Sequence, residues 1–389
     1  MRPQTENPLA LYVHWPFCRA KCPYCDFNSH VAQDIDHQRF AAAYRREMTH
    51  MAAHYGAGRK LVSVFLGGGT PSLMPVSLVA GILGDAERIF GFADAVEITA
   101  EANPTSSETA MFEGFRAAGV NRVSLGIQSL RDDGLAFLGR EHSANDARNA
   151  IAAAQRSFKR VSGDLIYARR DQTLDSWTSE LREMLELGLT HMSLYQLTIE
   201  QGTIFHTRSR RGEQLVPPDD LAADMYEATD EIMTGAGLPA YEISNHATDG
   251  EACRHNLVYW RAQDWIGIGP GAHGRVTVPD GRVGIATRRN PAGWLDAVHL
   301  NGHGIDTITE DDVGEAFAEW LMMGLRLGEG VSLAAMQSLF PSRTSRLDES
   351  ALAGHVDTGM LEIVADRLRA TKSGRLLLNR LLADLLIAD

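Results

Sequence analysis

From residue 11 to residue 200, short apolar runs of strand length alternate with amphipathic stretches of helix length, an alternation that restricts the chain to successive βα units and a largely parallel sheet. The candidate strands are Leu11–His14, Val62–Leu66, Val96–Ala100, Arg122–Gly126, Ser162–Ile166 and Met192–Leu197, each apolar enough to be buried on both faces. Between them lie Asp36–Tyr55, Leu78–Phe90, Thr109–Ala118, Ala144–Phe158 and Ser176–Leu187, long enough for the crossover helices that parallel strands require. The expected fold is α/β, a full or partial (β/α) TIM-like barrel; a doubly wound open sheet is the competitor that periodicity alone leaves standing.

With 389 residues the chain has room for a second unit. SRRGEQLVPPDD (209–220) reads as an exposed excursion, a helix follows at Leu221–Gly235, and the four glycines of DWIGIGPGAHG (264–274) predict a tight loop. Ile305–Arg326 reads as a new helical segment, which puts a boundary near 300 and gives units 1–300 and 301–389. The tail, with a strand-like LEIVADRLRA, a turn at Lys372–Gly374 and a final helix, suits a small α+β, winged-helix-like module. That tail carries 8 Arg and Lys against 14 Asp and Glu, and the whole chain has a net charge of −13, so no nucleic-acid partner is expected. No run approaches 18 apolar residues and the opening MRPQTENP lacks a secretory pattern, which with only four cysteines gives a cytoplasmic expectation.

Three of those cysteines, Cys18, Cys22 and Cys25, form CxxxCxxC directly after the first candidate strand. Thiolates suit iron–sulfur clusters or zinc, and three of them on one loop leave one iron of a four-iron cubane without a protein ligand. The alternative is a zinc site completed by His14 or His30. Cys253 is far away in sequence but is a conceivable fourth ligand. Arg19 and Lys21, between the thiols, would ease their deprotonation and offset cluster charge, or be plain surface charge.

Gly67–Gly68–Gly69–Thr70–Pro71 ends the second strand; it matches neither a Rossmann fingerprint nor a Walker loop, and is either a tight turn or a backbone cradle for a ligand. Glu101, Gln128 and Asp164 place polar groups on three successive strands, mostly at their ends, where a parallel barrel gathers ligand-binding groups. Each is equally suited to a cap or a satisfied core position.

CxxxCxxC after a first strand resembles the radical S-adenosylmethionine (SAM) superfamily, in which three cysteines hold a [4Fe-4S] cluster and SAM chelates the fourth iron. YVHWPFC, CPYCDFNSH, FLGGGTPS, EANP, SLGIQS, GREHS, GDLIY and CRHNLVYW resemble the branch that contains oxygen-independent coproporphyrinogen III oxidases and HemW-type heme chaperones. The resemblance implies a HemN-like accessory domain at 301–389 and SAM contacts from Tyr12, Gly68, Glu101, Gln128, Arg140 and Asp164. It implies an aromatic near the adenosyl pocket at Tyr24, and in Gly69 and Thr70 positions that meet a second SAM in the oxidase. After Tyr167 the family's Gly-Leu-Pro is replaced by Ala168–Arg169–Arg170, two arginines able to meet heme propionates.

His255 in CRHNLVYW is either a core histidine beside core aromatics or an axial ligand of heme iron, the second reading being favoured by the resemblance of HNxxYW to a chaperone motif. Cys253 and His273 are the weaker heme candidates. Phe27 stands where the oxidase has an extra cysteine, and 17 residues precede Cys18 where the oxidase has a longer extension. Both differences favour heme handling. The resemblance thus implies a chaperone that binds heme, a [4Fe-4S] cluster and exchangeable SAM, and delivers heme to acceptor hemoproteins; membrane-bound acceptors would bring it to the membrane periphery. Oligomeric state is left open, radical cleavage of SAM is chemically available, and the alternative is the oxidase's radical decarboxylation of coproporphyrinogen III.

Overall fold

The computed structural model describes residues 7–279, 281–340 and 347–386. One large sheet contains β1 (Leu9–Trp15), β2 (Leu61–Gly68), β3 (Phe92–Ala102), β4 (Arg122–Gln128), β5 (Arg160–Tyr167), β6 (His191–Gln196), β7 (Asn245–Ala247), β8 (Asp264–Ile268), β9 (His273–Val278), β10 (Gly281–Thr287) and β11 (Ile305–Asp311). Across the sheet the order is β11-β10-β9-β8-β1-β2-β3-β4-β5-β6-β7. The strands from β8 through β1 to β6 are parallel, and the outer ones antiparallel. Among the described residues β7 and β11 are not paired with each other, so the barrel is partial.

Helices α1 (His37–Met51), α2 (Val76–Phe90), α3 (Phe112–Ala117), α4 (Asp132–Phe137), α5 (Ala144–Ser157), α6 (Leu174–Glu186), α7 (Asp219–Gly235), α8 (Arg254–Trp260) and α9 (Pro291–Asn301) accompany this sheet. Local chemistry starts several of them: Asp36 accepts from the Arg39 N–H, Ser143 and Asp146 form a capping box, and Thr173 accepts from the Ser176 N–H. All of β1 except Tyr12 is buried, as expected of a strand packed on both faces. Helix α10 (Val313–Gly324) begins a second core around Phe317, Leu321, Leu368 and Leu381. Its helix, short strand, two helices and hairpin follow the winged-helix-like order. No described helix is long and apolar enough to cross a membrane.

Four local expectations are corrected. DWIGI is not loop but strand β8, hydrogen-bonded beside β1; Gly267 sits within it because a Cβ there would lie 2.1 Å from the His273 carbonyl oxygen. Residues 305–311 form edge strand β11 rather than helix, and five exposed residues in a row hide it from any periodicity. LEIVADRLRA is a hairpin turning at Ala365 (φ 54°), and Lys372 opens a short helix capped by Thr371. The stretch 109–118 breaks before α3, where Glu108 turns inward to accept from the Asn103 N–H and from Ser72.

Candidate functional site

The cysteine loop leaves the C-terminal end of β1, and the glycines that end β2 are shaped to receive it. Gly69 N–H donates to Trp15 O at 2.7 Å and Thr70 N–H to Phe17 O at 2.8 Å. A Cβ on Gly69 would lie 2.6 Å from Phe17 O, and one on Gly68, whose φ is 111°, 2.6 Å from the His14 ring. The far side of the loop is moored by Asn28, whose Nδ2 donates to the carbonyls of Pro270 (2.8 Å) and Arg289 (2.9 Å). Tyr24 packs beside Phe205 in a small apolar cluster with Leu138 and Leu197, and Pro23 O accepts from Phe205 N–H.

Cys18, Cys22 and Cys25 are half-buried free thiols. Thr70 Oγ1 donates to Cys18 Sγ at 3.4 Å, and Arg140 Nη1 to Cys22 Sγ at 3.5 Å. Asn103 joins the two: its Nδ2 donates to Thr70 Oγ1 at 3.2 Å, and its Oδ1 accepts from Arg140 Nη2. Burial, followed by the charge of nearby Cys22, holds Cys18 and Cys25 above the ordinary thiol range, against the pull of Thr70 and of the Phe27 backbone. The easing of deprotonation expected from Arg19 and Lys21 does not prevail at these two thiols.

This donor set fits three corners of a cubane, which spreads its thiolates over separate irons. A mononuclear zinc site needs donors converging on one point, and no group of three or more His, Cys, Asp or Glu among the described residues is arranged to hold one ion. Both His14 nitrogens are engaged, with Tyr12 OH at 3.0 Å and Asn28 O at 2.9 Å. Cys253 cannot close the site. It is buried near the N-terminal ends of the strands, where its thiol donates to Glu97 at 3.4 Å and burial pushes it up to about 12.

Above the cysteines' side of the barrel mouth, Glu101 accepts from Gly68 N–H at 3.2 Å. Burial and then the Asp164 carboxylate push Glu101 up to about 8. Asp164 is raised by burial and accepts from Ser124 Oγ at 3.1 Å. Gln128 ends β4 with φ 64°, a conformation that costs a non-glycine residue energy, and its Oε1 is buried without a partner. A strained residue presenting an orphan acceptor beside Arg140, with Glu101 at the end of the neighbouring strand, fits a polar ligand such as SAM.

The remaining candidates separate. His255 is 2% exposed and points into the barrel, its Nδ1 2.9 Å from Ser63 Oγ and its Nε2 2.6 Å from Tyr259 OH. Burial depresses it to about 3, and it stacks on Phe65, which stacks in turn on Tyr12. Glu97 accepts from the His255 N–H and so anchors the start of α8. Arg169 is not available to propionates: it is buried against Glu180 at 2.7 Å and donates to Ile166 O, while Arg170 pairs with Glu213 at 2.9 Å. His273 is exposed at the start of β9. Sequence reading passed over Asn103 and Asn28, although Asn103 lies two residues beyond Glu101 on the same strand end and Asn28 three beyond Cys25.

Residues 12–194 match the radical SAM superfamily model and residues 313–377 the HemN C-terminal domain. The chain is 38% identical over 392 residues to the heme chaperone HemW of Escherichia coli, covering 98% of this chain and 99% of that protein. It is 37% identical over 385 residues to the HemW of Haemophilus influenzae, covering 96% and 97%. A zebrafish (Danio rerio) mitochondrial radical S-adenosyl methionine domain-containing protein 1 is 35% identical over 394 residues, covering 99% and 88%. Among solved structures, the coproporphyrinogen III oxidase HemN of E. coli superposes with a TM-score of 0.82 at 21% identity, over 98% of this chain and 90% of that one, which shows a shared fold. The chain belongs to the HemW family of the radical SAM superfamily.

Proposed function

We propose that this protein is a heme chaperone that carries a [4Fe-4S] cluster on Cys18, Cys22 and Cys25, takes SAM as an exchangeable ligand, and hands heme to acceptor hemoproteins, membrane-bound ones included. The observation that carries the reading is the likeness to HemW chaperones over nearly the whole length, at 37–38% identity. The site supports it with three free thiols on one loop, which among the described residues are not arranged with His, Asp or Glu around a single ion. A cubane bound there supplies one iron open to the amino and carboxylate groups of SAM and an electron for its reductive cleavage.

The chain's own residues then have distinct tasks. Gly68 and Gly69, which admit the cysteine loop, offer backbone groups to the ligand, Glu101 and Asp164 accept from its polar hydrogens, and Gln128 Oε1 gains the partner that it lacks. Arg140 and Thr70 donate to the thiolates and stabilise their negative charge. Tyr24, set against Phe205, bounds the adenosyl side. The heme contact lies in the 253–260 segment: His255 can reach iron only by releasing the hydroxyl of Tyr259, whereas Trp260 stands at the other end of the helix. Anaerobically reconstituted protein should contain iron and acid-labile sulfide, give a Soret band with heme, and leave coproporphyrinogen III unchanged in the presence of SAM and reductant. Formation of protoporphyrinogen with useful turnover would replace this reading with the oxidase.

A further inference from the structure

Where the barrel meets the second core, a cavity of about 280 Å³ opens to solvent on one side. Trp260, the last residue of α8, forms its aromatic wall with Trp320 and Phe340, whose ring centroids are 5.7 Å apart. Arg261, Arg282 and Arg367 make its other side basic. Arg261 and Arg367 share one carboxylate, Glu329, at 3.0 and 3.4 Å, and the other lining carboxylate, Glu319, is paired with Arg275 at 3.2 Å, so three guanidiniums of the lining stand against two carboxylates.

Two N–H groups of the lining are buried without a partner, Nε1 of Trp260 and Nε of Arg282, an arginine only 8% exposed. Buried polar groups are almost always paired, so two orphaned donors on lining residues mark a boundary that the chain does not satisfy by itself. Both are donors, and no buried side-chain acceptor of a lining residue is orphaned. Aromatic faces, surplus guanidinium charge and unpaired donors together select a flat aromatic molecule bearing carboxylates.

We infer that this cavity takes the propionate-bearing edge of a porphyrin, with the carboxylates toward the arginines and the ring edge against Trp260 and Trp320. The inference rests on the heme-handling reading above and locates its cargo. Among the described residues no His, Cys, Met or Tyr lines the cavity, so its own contact is made to the organic ring, and an iron ligand such as His255 acts from outside it. The loss caused by altering the cavity is therefore the same, within about threefold, for metal-free protoporphyrin and for heme.

The test uses the full-length, cluster-loaded protein titrated by absorbance with heme, with metal-free protoporphyrin and with its dimethyl ester. Ala335→Trp, which fills the cavity, and Arg261→Glu, which reverses charge at its rim, should each weaken both diacids by about tenfold or more while leaving the cluster spectrum unchanged. The ester should bind the unaltered protein at least about tenfold more weakly than the diacid. If Ala335→Trp fails to fold, Arg261→Glu and the ester decide. Wild-type affinity in the folded variants, or tight binding of heme alone with none of the metal-free ring, overturns the cavity and leaves the chaperone reading intact. Failure of the unaltered protein to bind either porphyrin overturns both.

Discussion

Arg140 donates from Nη1 to the sulfur of Cys22 across 3.5 Å, and its other nitrogen reaches Cys18 through Asn103 and Thr70. One guanidinium from the segment after α4 thus joins two cysteines of the β1 loop in a single polar frame. Hydrogen bonds to thiolate sulfur are among the factors that set a cluster's potential.

Removing that donor should make the cluster harder to reduce. A charge-assisted hydrogen bond is worth about 1.5 kcal/mol, roughly 60 mV for one electron, so Arg140→Met should lower the midpoint by about that amount. Asn103→Ala should shift it in the same direction by less. Redox titration followed by paramagnetic resonance measures both; unchanged potentials in variants that retain full iron would dissolve the frame.

Two buried carboxyls, Glu101 at the barrel mouth and Glu47 on α1, give the ligand-free protein a definite pH response. Glu101 is pushed up to about 8 and Glu47, which accepts from Trp294 Nε1 at 3.0 Å, to about 7, each mainly by burial, from ordinary values of 4.5. A folded-state value above the unfolded one means that the folded chain binds more protons, so this stability is whole below pH 4.5 and fades as pH rises through 7 to 8. The melting temperature should fall across that window, and Glu101→Gln should flatten the fall by a few degrees, at about 2–4 °C per kcal/mol. Calorimetry in the absence of SAM checks the sign.

Arg169→Ala should cost about 3–5 kcal/mol, because it strands the fully buried carboxylate of Glu180. It also removes the 3.5 Å bond to the carbonyl of strained Gln128. Pairing Arg169→Met with Glu180→Leu should recover most of the loss in a urea titration. If the single and double variants are equally stable, the ion pair is not what holds this corner.

Tyr259→Phe isolates the role of His255. With the hydroxyl gone, Nε2 is free, and an iron ligand relieved of a hydrogen bond worth about 1 kcal/mol should take heme about fivefold more tightly. His255→Ala should then abolish the Soret band and leave the cluster spectrum alone. Heme binding that ignores both substitutions assigns His255 to the barrel interior and nothing else.

The parallel half of the sheet was legible because strands buried on both faces are written as apolar runs: β1, β2 and β4 lie where the sequence put them, extended by one or two residues at one or both ends. The cysteine loop and the glycine cradle were equally legible, being local in sequence. β8 was not, since its glycines, needed for the close approach of His273, imitate a loop. β11 is exposed along most of its length and has no burial pattern to read. Residue 300, where the sequence changes character, lies in α9, and β11 still joins the large sheet after it; the second core starts at Ala316. Asn103, Asn28 and the Arg169–Glu180 pair act across 11 to more than 240 residues of chain, distances at which spacing carries no information.

The seating of β8 beside β1 fixes when the cysteine loop can be completed during synthesis. Leu9 pairs with Asp264, and Asn28 waits for the carbonyls of Pro270 and Arg289, so the strand that bears the loop lacks one of its two neighbours until about three-quarters of the chain has left the ribosome. Contacts of such long sequence separation form slowly. The loop's mooring is thereby deferred to the later part of the chain, and a truncated product ending before β8 would display three thiols on an unsupported loop.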